Sequence, residues 1–203
     1  AHFAAGLAGI CTASRMDGVQ EGRGMRSYVV AALLLPLVFV AVSCKDDTAQ
    51  TSKPDAVTLT AEATGHYCQM EILEHQGPKA QVHLAGSLTP LWFGQVRDGI
   101  AYLKSPEQSA EILAVYVNDM GAAPSWAEPG ADNWIDVDTA YFVVGSDAVG
   151  GMGAPEITPF SDARKANEFA DERGGEVMRL AEIPVETVLS PVEGQAAAMG
   201  HMK

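Results

Sequence analysis

Cys68 stands in the stretch His66-Tyr67-Cys68-Gln69-Met70, where polar and apolar residues alternate as they do in a half-buried strand. Period-two geometry then puts the Cys68 thiol and the Met70 thioether on one face. A thiolate beside a thioether is a soft-ligand pair suited to Cu(I). The same two residues also read as core filler, because buried cysteine and methionine behave as adaptable hydrophobes. Two further methionines fall at loops instead of in apolar stripes: Met120, in Asn118-Asp119-Met120-Gly121, and Met152, in Gly150-Gly151-Met152-Gly153. Each is free to swing toward a ligand, and each is equally a residue that a loop tolerates. Met178, inside a strand-like run, reads as core. His66 lies two residues before Cys68 and would share its strand face, as a tuning group or a ligand, although a lone strand histidine is more often simply solvated.

Other chemistries find little support. The sequence has no H-E-x-x-H, no paired C-x-x-C, no G-x-S-x-G elbow, no Walker loop and no dinucleotide fingerprint. An enzyme alternative is a thiol-dependent activity with Cys68 as nucleophile and His66 or His83 as its base. The net charge of −13 and pI of about 4.6 oppose nucleic-acid binding, which draws on cationic neutralisation of phosphates.

The remaining two cysteines read as parts of a leader. Met25-Arg26-Ser27-Tyr28 followed by an apolar run to Val42 has the n-region and h-region of a secretory signal, so residues 1–24 read as an upstream extension and 25–43 as the signal peptide. Val40-Ala41-Val42-Ser43-Cys44 resembles the lipobox of bacterial lipoproteins, departing from it at Ala41, where leucine is usual. Acylation of Cys44 would anchor the chain to a bilayer without spanning it, with residues 44–57 as a flexible tether. Lys45 after the lipid cysteine points to outer-membrane sorting, facing the periplasm. Loss of residues 1–43 removes Cys11, and with Cys44 acylated Cys68 is the one free thiol of the mature chain, so no intrachain disulfide forms.

Positioning these residues falls to an α+β fold of two similar small ββαβ lobes, with residues 58–120 in the first, 121–132 as linker, 133–189 in the second and 190–203 as a flexible tail. Strands are expected at 57–61, 66–73, 80–84 and 112–117, and a helix at 95–104, where Val96, Ile100 and Leu103 share a face. The second lobe repeats the order: strand-like 134–144, a glycine-rich loop at 145–153, a helix at 162–173 and a strand at 176–180. Ser161 reads as the N-cap of that helix and Gly174-Gly175 as its stop.

Several ordered blocks are similar to those of the NosL family: His66-Tyr67-Cys68-Gln69-Met70; Pro90-Leu91-Trp92-Phe93 with Gln95-Val96-Arg97-Asp98; Val117-Asn118-Asp119-Met120-Gly121; and Gly150-Gly151-Met152-Gly153-Ala154-Pro155-Glu156 with Pro159-Phe160-Ser161. The resemblance runs from about residue 64 to 189. It implies a lipoprotein that binds Cu(I) and serves as a metallochaperone, without catalysis, for nitrous oxide reductase and its assembly machinery. It also implies two ββαβ lobes akin to part of organomercurial lyase. By position, the family's C-x-M pair falls on Cys68 and Met70 and its third sulfur on Met120, with Met152 as the alternative. Arg97, Asp98, Pro155 and Glu156 match family blocks as structural or partner-docking residues. General copper storage is the competing binding function.

Overall fold

The computed structural model describes residues 52–192; the expected signal peptide, Cys44, most of the tether and the end of the tail lie outside the described residues. Two antiparallel sheets form. The first takes β1 (Ala80–Leu84), β2 (Leu91–Phe93), α1 (Val96–Lys104) and β3 (Ile112–Asn118), and adds β4 (Trp134–Asp136) to give the order β2-β1-β3-β4. The second takes β5 (Tyr141–Val144), β6 (Thr158–Phe160), α2 (Ala163–Arg173) and β7 (Glu176–Met178) in the order β6-β5-β7. Each is a ββαβ unit whose first strand lies between the other two, so the α+β class with two like lobes is what the chain adopts. A short helix, α3 (Val185–Leu189), follows.

Alternation along the central strands explains the packing. Ala80, Val82 and Leu84 of β1 join Val96 and Ile100 of α1 and Phe142 and Val144 of β5 in one core shared by the two sheets. Val143, pointing the other way, packs with Phe160 of β6 and Ala166 of α2. On the reverse of the first sheet, Gln81 and Tyr116 are register neighbours on β1 and β3. Gln81 Oε1 accepts from the Val57 amide at 2.9 Å, its Nε2 donates to the Val57 carbonyl at 3.0 Å, and the Tyr116 hydroxyl donates to the Pro54 carbonyl at 2.7 Å. The strand expected at 57–61 is therefore absent. That segment satisfies its backbone on the Gln81 and Tyr116 side chains and, through Leu59 N, on the Ala131 carbonyl at 2.9 Å, not on a ladder.

Three other expectations are corrected. Residues 66–73 are not a strand: the chain turns back on itself, with Gly65 N donating to Met70 O and Gln69 N to Gly65 O, both at 2.9 Å, and Gln69 in the left-handed region at φ 57°. A 3-10 turn, Ile72–Glu74, follows and buries Ile72 against Leu59 and Ala63. The expected strand at 134–144 is divided by a turn in which Asp136 Oδ1 accepts from Asp138 N at 2.9 Å, and its first half pairs with β3 instead of joining the second lobe. Ser161 does not cap α2; Asp162 does, accepting from Arg164 N at 2.7 Å, because the Ser161 hydroxyl is bound to Asp119 Oδ2 at 2.5 Å. Strand β6, unforeseen in the sequence, carries Pro159 at a sheet edge, where a missing amide costs no ladder bond.

That Asp119 contact belongs to a junction between lobes. Asn118, fully buried at the end of β3, accepts from Lys79 N at 2.8 Å and donates to the Gly130 and Asn133 carbonyls at 3.2 and 3.0 Å. Asp119 Oδ1 accepts from Gly121 N and Ser161 N at 2.9 and 3.1 Å, and Met120 N donates to Pro159 O at 2.9 Å. Asn118→Ala would strand a buried amide and carbonyl, each worth about 1–3 kcal/mol, so urea unfolding should show a loss of roughly 2–4 kcal/mol. A loss below about 1 kcal/mol would mean that the linker does not depend on Asn118 for its seat on β3.

Candidate metal centre

The left-handed turn at Gln69 throws Cys68 inward, half-buried, against the close backbone of Gly65, where an added Cβ would overlap the sulfur. Cys68 is the free thiol of the described residues. It lines a cavity of about 230 Å³ together with Tyr67, Gln95, Asp98 and, from the second lobe, Met152. Cys68 and Met152, widely separated in sequence, thus share one cavity. Met70 sits on the same turn as Cys68, exposed at its surface and outside the cavity lining. The structure does not bring Met120 to this place: it packs against Val143, Phe160 and Ala166 in the core of the second lobe.

Met152 arrives there because the loop that carries it lacks side chains where it meets the first lobe. A Cβ on Gly150 would fall 2.5 Å from both Gln95 Oε1 and Glu156 Oε2, and one on Gly151 would fall 2.5 Å from His75 Cβ. Polar contacts then fasten the loop: His75 Nδ1 lies 3.3 Å from the Gly151 carbonyl, and Met152 N donates to Gln95 Oε1 at 3.2 Å. Since a carbonyl only accepts, Nδ1 is the donor in its contact with Gly151, and Nε2 faces Cys68 Sγ at 3.9 Å. His75 and Gln95 are the residues that reading the sequence for chemistry passed over. The available signal was position: His75 lies two residues before the Gly77-Pro78 turn, and Gln95 opens a helix at a position where serine, threonine, aspartate or asparagine is usual.

His66 and His83, the bases considered for a Cys68 nucleophile, are elsewhere. His66 stacks among Tyr67, Phe93 and Tyr102, with centroids 5.2 to 5.6 Å away. His83 is buried behind the first sheet with Nε2 2.8 Å from Gln81 Oε1, and burial lowers its pKa. The 3.9 Å from Cys68 to His75 is long for proton abstraction. Among the described residues no three His, Cys, Asp or Glu side chains gather as a metal-binding group. The sulfur donors that line the cavity are Cys68 and Met152.

Behind the loop lies an unusual pair. Glu156 is 2% exposed; Oε1 accepts from Arg97 N and Ile157 N at 3.0 and 2.9 Å, and Oε2 has no partner. Burial pushes this carboxyl up to about 8, against the opposing pull of the two backbone bonds. Lys79, 1% exposed, donates to the His75 and Gly77 carbonyls at 2.6 and 2.5 Å, and burial pushes it down to about 8. Asp98 is likewise raised by burial, offset by the bond from Gln95 and by Arg97. Arg97 itself donates to the Thr187 and Ser190 carbonyls, tying α1 to the end of α3.

Sequence and structure comparisons agree on one family. A sequence model of NosL matches residues 56–188. The copper-binding lipoprotein NosL of Achromobacter cycloclastes is 51% identical over 170 residues, covering 83% of this chain and 87% of that protein. The copper-binding lipoprotein NosL of Stutzerimonas stutzeri is 30% identical over 170 residues, covering 84% of each. The crystal structure of the copper chaperone NosL from Shewanella denitrificans superposes with a TM-score of 0.60 at 35% identity, over 64% of this chain and 95% of that one. None of these three is named as an enzyme.

The buried pair makes stability depend on pH with a definite sign. Between its ordinary 4.5 and about 8, Glu156 keeps in the fold a proton that the unfolded chain has lost, so stability falls as pH rises. Between about 8 and its ordinary 10.5, Lys79 has lost in the fold a proton that the unfolded chain keeps, so stability rises again. Each slope is at most about 1.4 kcal/mol per pH unit. Urea titrations across this range should find a minimum near pH 8, and Glu156→Gln should flatten the lower limb alone. A variant with the wild-type slope between pH 5 and 8 would clear Glu156 of this role.

Proposed function

The chain belongs to the NosL family, and on that premise we propose that it is a lipid-anchored metallochaperone that carries one Cu(I) ion at Cys68 and Met152 and hands it on during assembly of nitrous oxide reductase. The observation that supports the site is the shared cavity, lined by the free thiol of one lobe and a thioether of the other. Cu(I) prefers such sulfur donors, and binding displaces the thiol proton, which leaves one anionic sulfur to neutralise the ion. Met70, exposed on the same turn as Cys68, supplies the third sulfur, and Met120 supplies none. Few ligands, mostly thioethers, on loops near the surface suit an ion that must leave again. Acylation at Cys44 holds the protein to the periplasmic face of the cell envelope, at the outer membrane, where the acidic chain selects partners of complementary charge.

Titration with Cu(I) against a competing chelator tests the ligand set. Cys68→Ala should abolish tight binding and Met152→Ala should weaken it by about tenfold or more, whereas Met120→Ala should leave it unchanged. Wild-type affinity in Cys68→Ala, or a loss in Met120→Ala equal to that in Met152→Ala, would overturn the assignment.

Destination and anchor are tested in the cell. A strain lacking the protein should build copper-poor nitrous oxide reductase under copper limitation, relieved by added copper. Cys68→Ala should fail to restore activity, and mass spectrometry of the membrane fraction should find acylated Cys44 at the N-terminus. A fully metallated reductase in the deletion strain would favour general copper storage, and an unmodified soluble product would remove the anchor.

A further inference from the structure

Cys68 and Met152 belong to different lobes, so some contact must fix where the thioether stands relative to the thiol. The glycine loop closes on itself through Gly150 N to Ala154 O and Gly153 N to Gly150 O, both at 2.9 Å. It is fastened to the first lobe by His75 at the Gly151 carbonyl and by Gln95 at the amide of Met152 itself. Gln95 is 3% exposed and occupies the N-cap position of α1, yet its side chain makes no cap. The side chain serves the other lobe instead, with Oε1 accepting from Met152 N at 3.2 Å and Nε2 donating to Asp98 Oδ2 at 3.1 Å.

Both ends of this amide are committed, which determines its orientation. Rotating it by half a turn would set the amide NH₂ against the Met152 N–H and the carbonyl oxygen against the Asp98 carboxylate, two repulsive pairs in place of two bonds. Asp98 lies one turn along α1 and lines the same cavity, so the helix that packs in the shared core also aims the glutamine. The contact is close as well as directional, since a Cβ on Gly150 would fall 2.5 Å from Gln95 Oε1 and 3.0 Å from its Cβ.

We infer that Gln95, aimed by Asp98, is a positioning residue that holds the Met152 thioether at the Cys68 cavity, so that metal affinity is set from the first turn of α1. The inference rests on the reading of Cys68 and Met152 as the copper site, and a double-mutant cycle separates the two. Cu(I) alone is titrated into the full chain against a competing chelator for wild type, Gln95→Leu, Met152→Ala and the double variant, with urea unfolding run beside each. Gln95→Leu should weaken Cu(I) binding by about tenfold in the wild-type background and add nothing to Met152→Ala, because its effect passes through that thioether. Asp98→Ala, which frees the amide to rotate, should repeat the pattern with a smaller loss and serves if Gln95→Leu folds poorly. Equal weakening by Gln95→Leu in both backgrounds would reduce Gln95 to general scaffolding and overturn the inference while leaving the copper site standing. Unchanged affinity in Gln95→Leu would overturn it too, and unchanged affinity in Met152→Ala would take down the copper reading first and the inference with it.

Discussion

The backbone at Gly150 and Gly151 runs so close to the first lobe that a methyl group at either position would overlap Gln95, Glu156 or His75. Everything at the proposed centre follows from that approach. The loop can reach the first lobe because it presents bare backbone, and having reached it the loop exchanges polar contacts with His75 and Gln95. Met152, the next residue, is thereby carried to the cavity of Cys68. A bulkier loop would keep its thioether on its own lobe. The approach in turn needs the lobes fixed beside it, which is the work of Asp119, bonded to Ser161, and of the Met120 amide, bonded to Pro159, just past the end of β3.

The joint between lobes is built largely from buried polar groups. Asp119, Gln95 and Glu156 reach across it while Asn118 and Lys79 brace it from the first lobe; all lose hydration on folding, and most of that loss is recovered in hydrogen bonds whose directions leave little freedom. An apolar joint of the same size would hold as firmly and specify the geometry less closely, since apolar packing is not directional. For the proposed centre, which needs sulfurs from both lobes at one point, direction matters more than adhesion. Glu156 shows the cost, with one carboxylate oxygen left unpaired and its proton retained far above the ordinary range.

Much of the scaffold was legible along the chain. Helices α1 and α2 and strands β1 and β3 carry clear apolar periods, and the repeated order of elements announced two like lobes. The errors have local causes. His66 to Met70 alternates as a strand would, but a glutamine in the left-handed region turns it, and glutamine is no turn signal. Ser161 looks like a cap and is engaged across the lobe junction, and β6 is three residues long with a proline inside it. At the centre, Cys68 stood out as a lone thiol and the glycines around Met152 marked an exposed methionine. The choice of Met152 over Met120 at the cavity, like the presence of His75 and Gln95, is a matter of tertiary approach that no local period records.

The central claim is that one ion is held between the lobes by Cys68 and Met152. A crystal of the Cu(I)-loaded protein, with anomalous differences collected on either side of the copper edge, tests it most directly. The account predicts a single peak within about 2.3 Å of Cys68 Sγ and close to the same distance from Met152 Sδ, the usual range for a metal bound to sulfur. A peak beside Met120, or one on Cys68 with Met152 turned away into solvent, would contradict it.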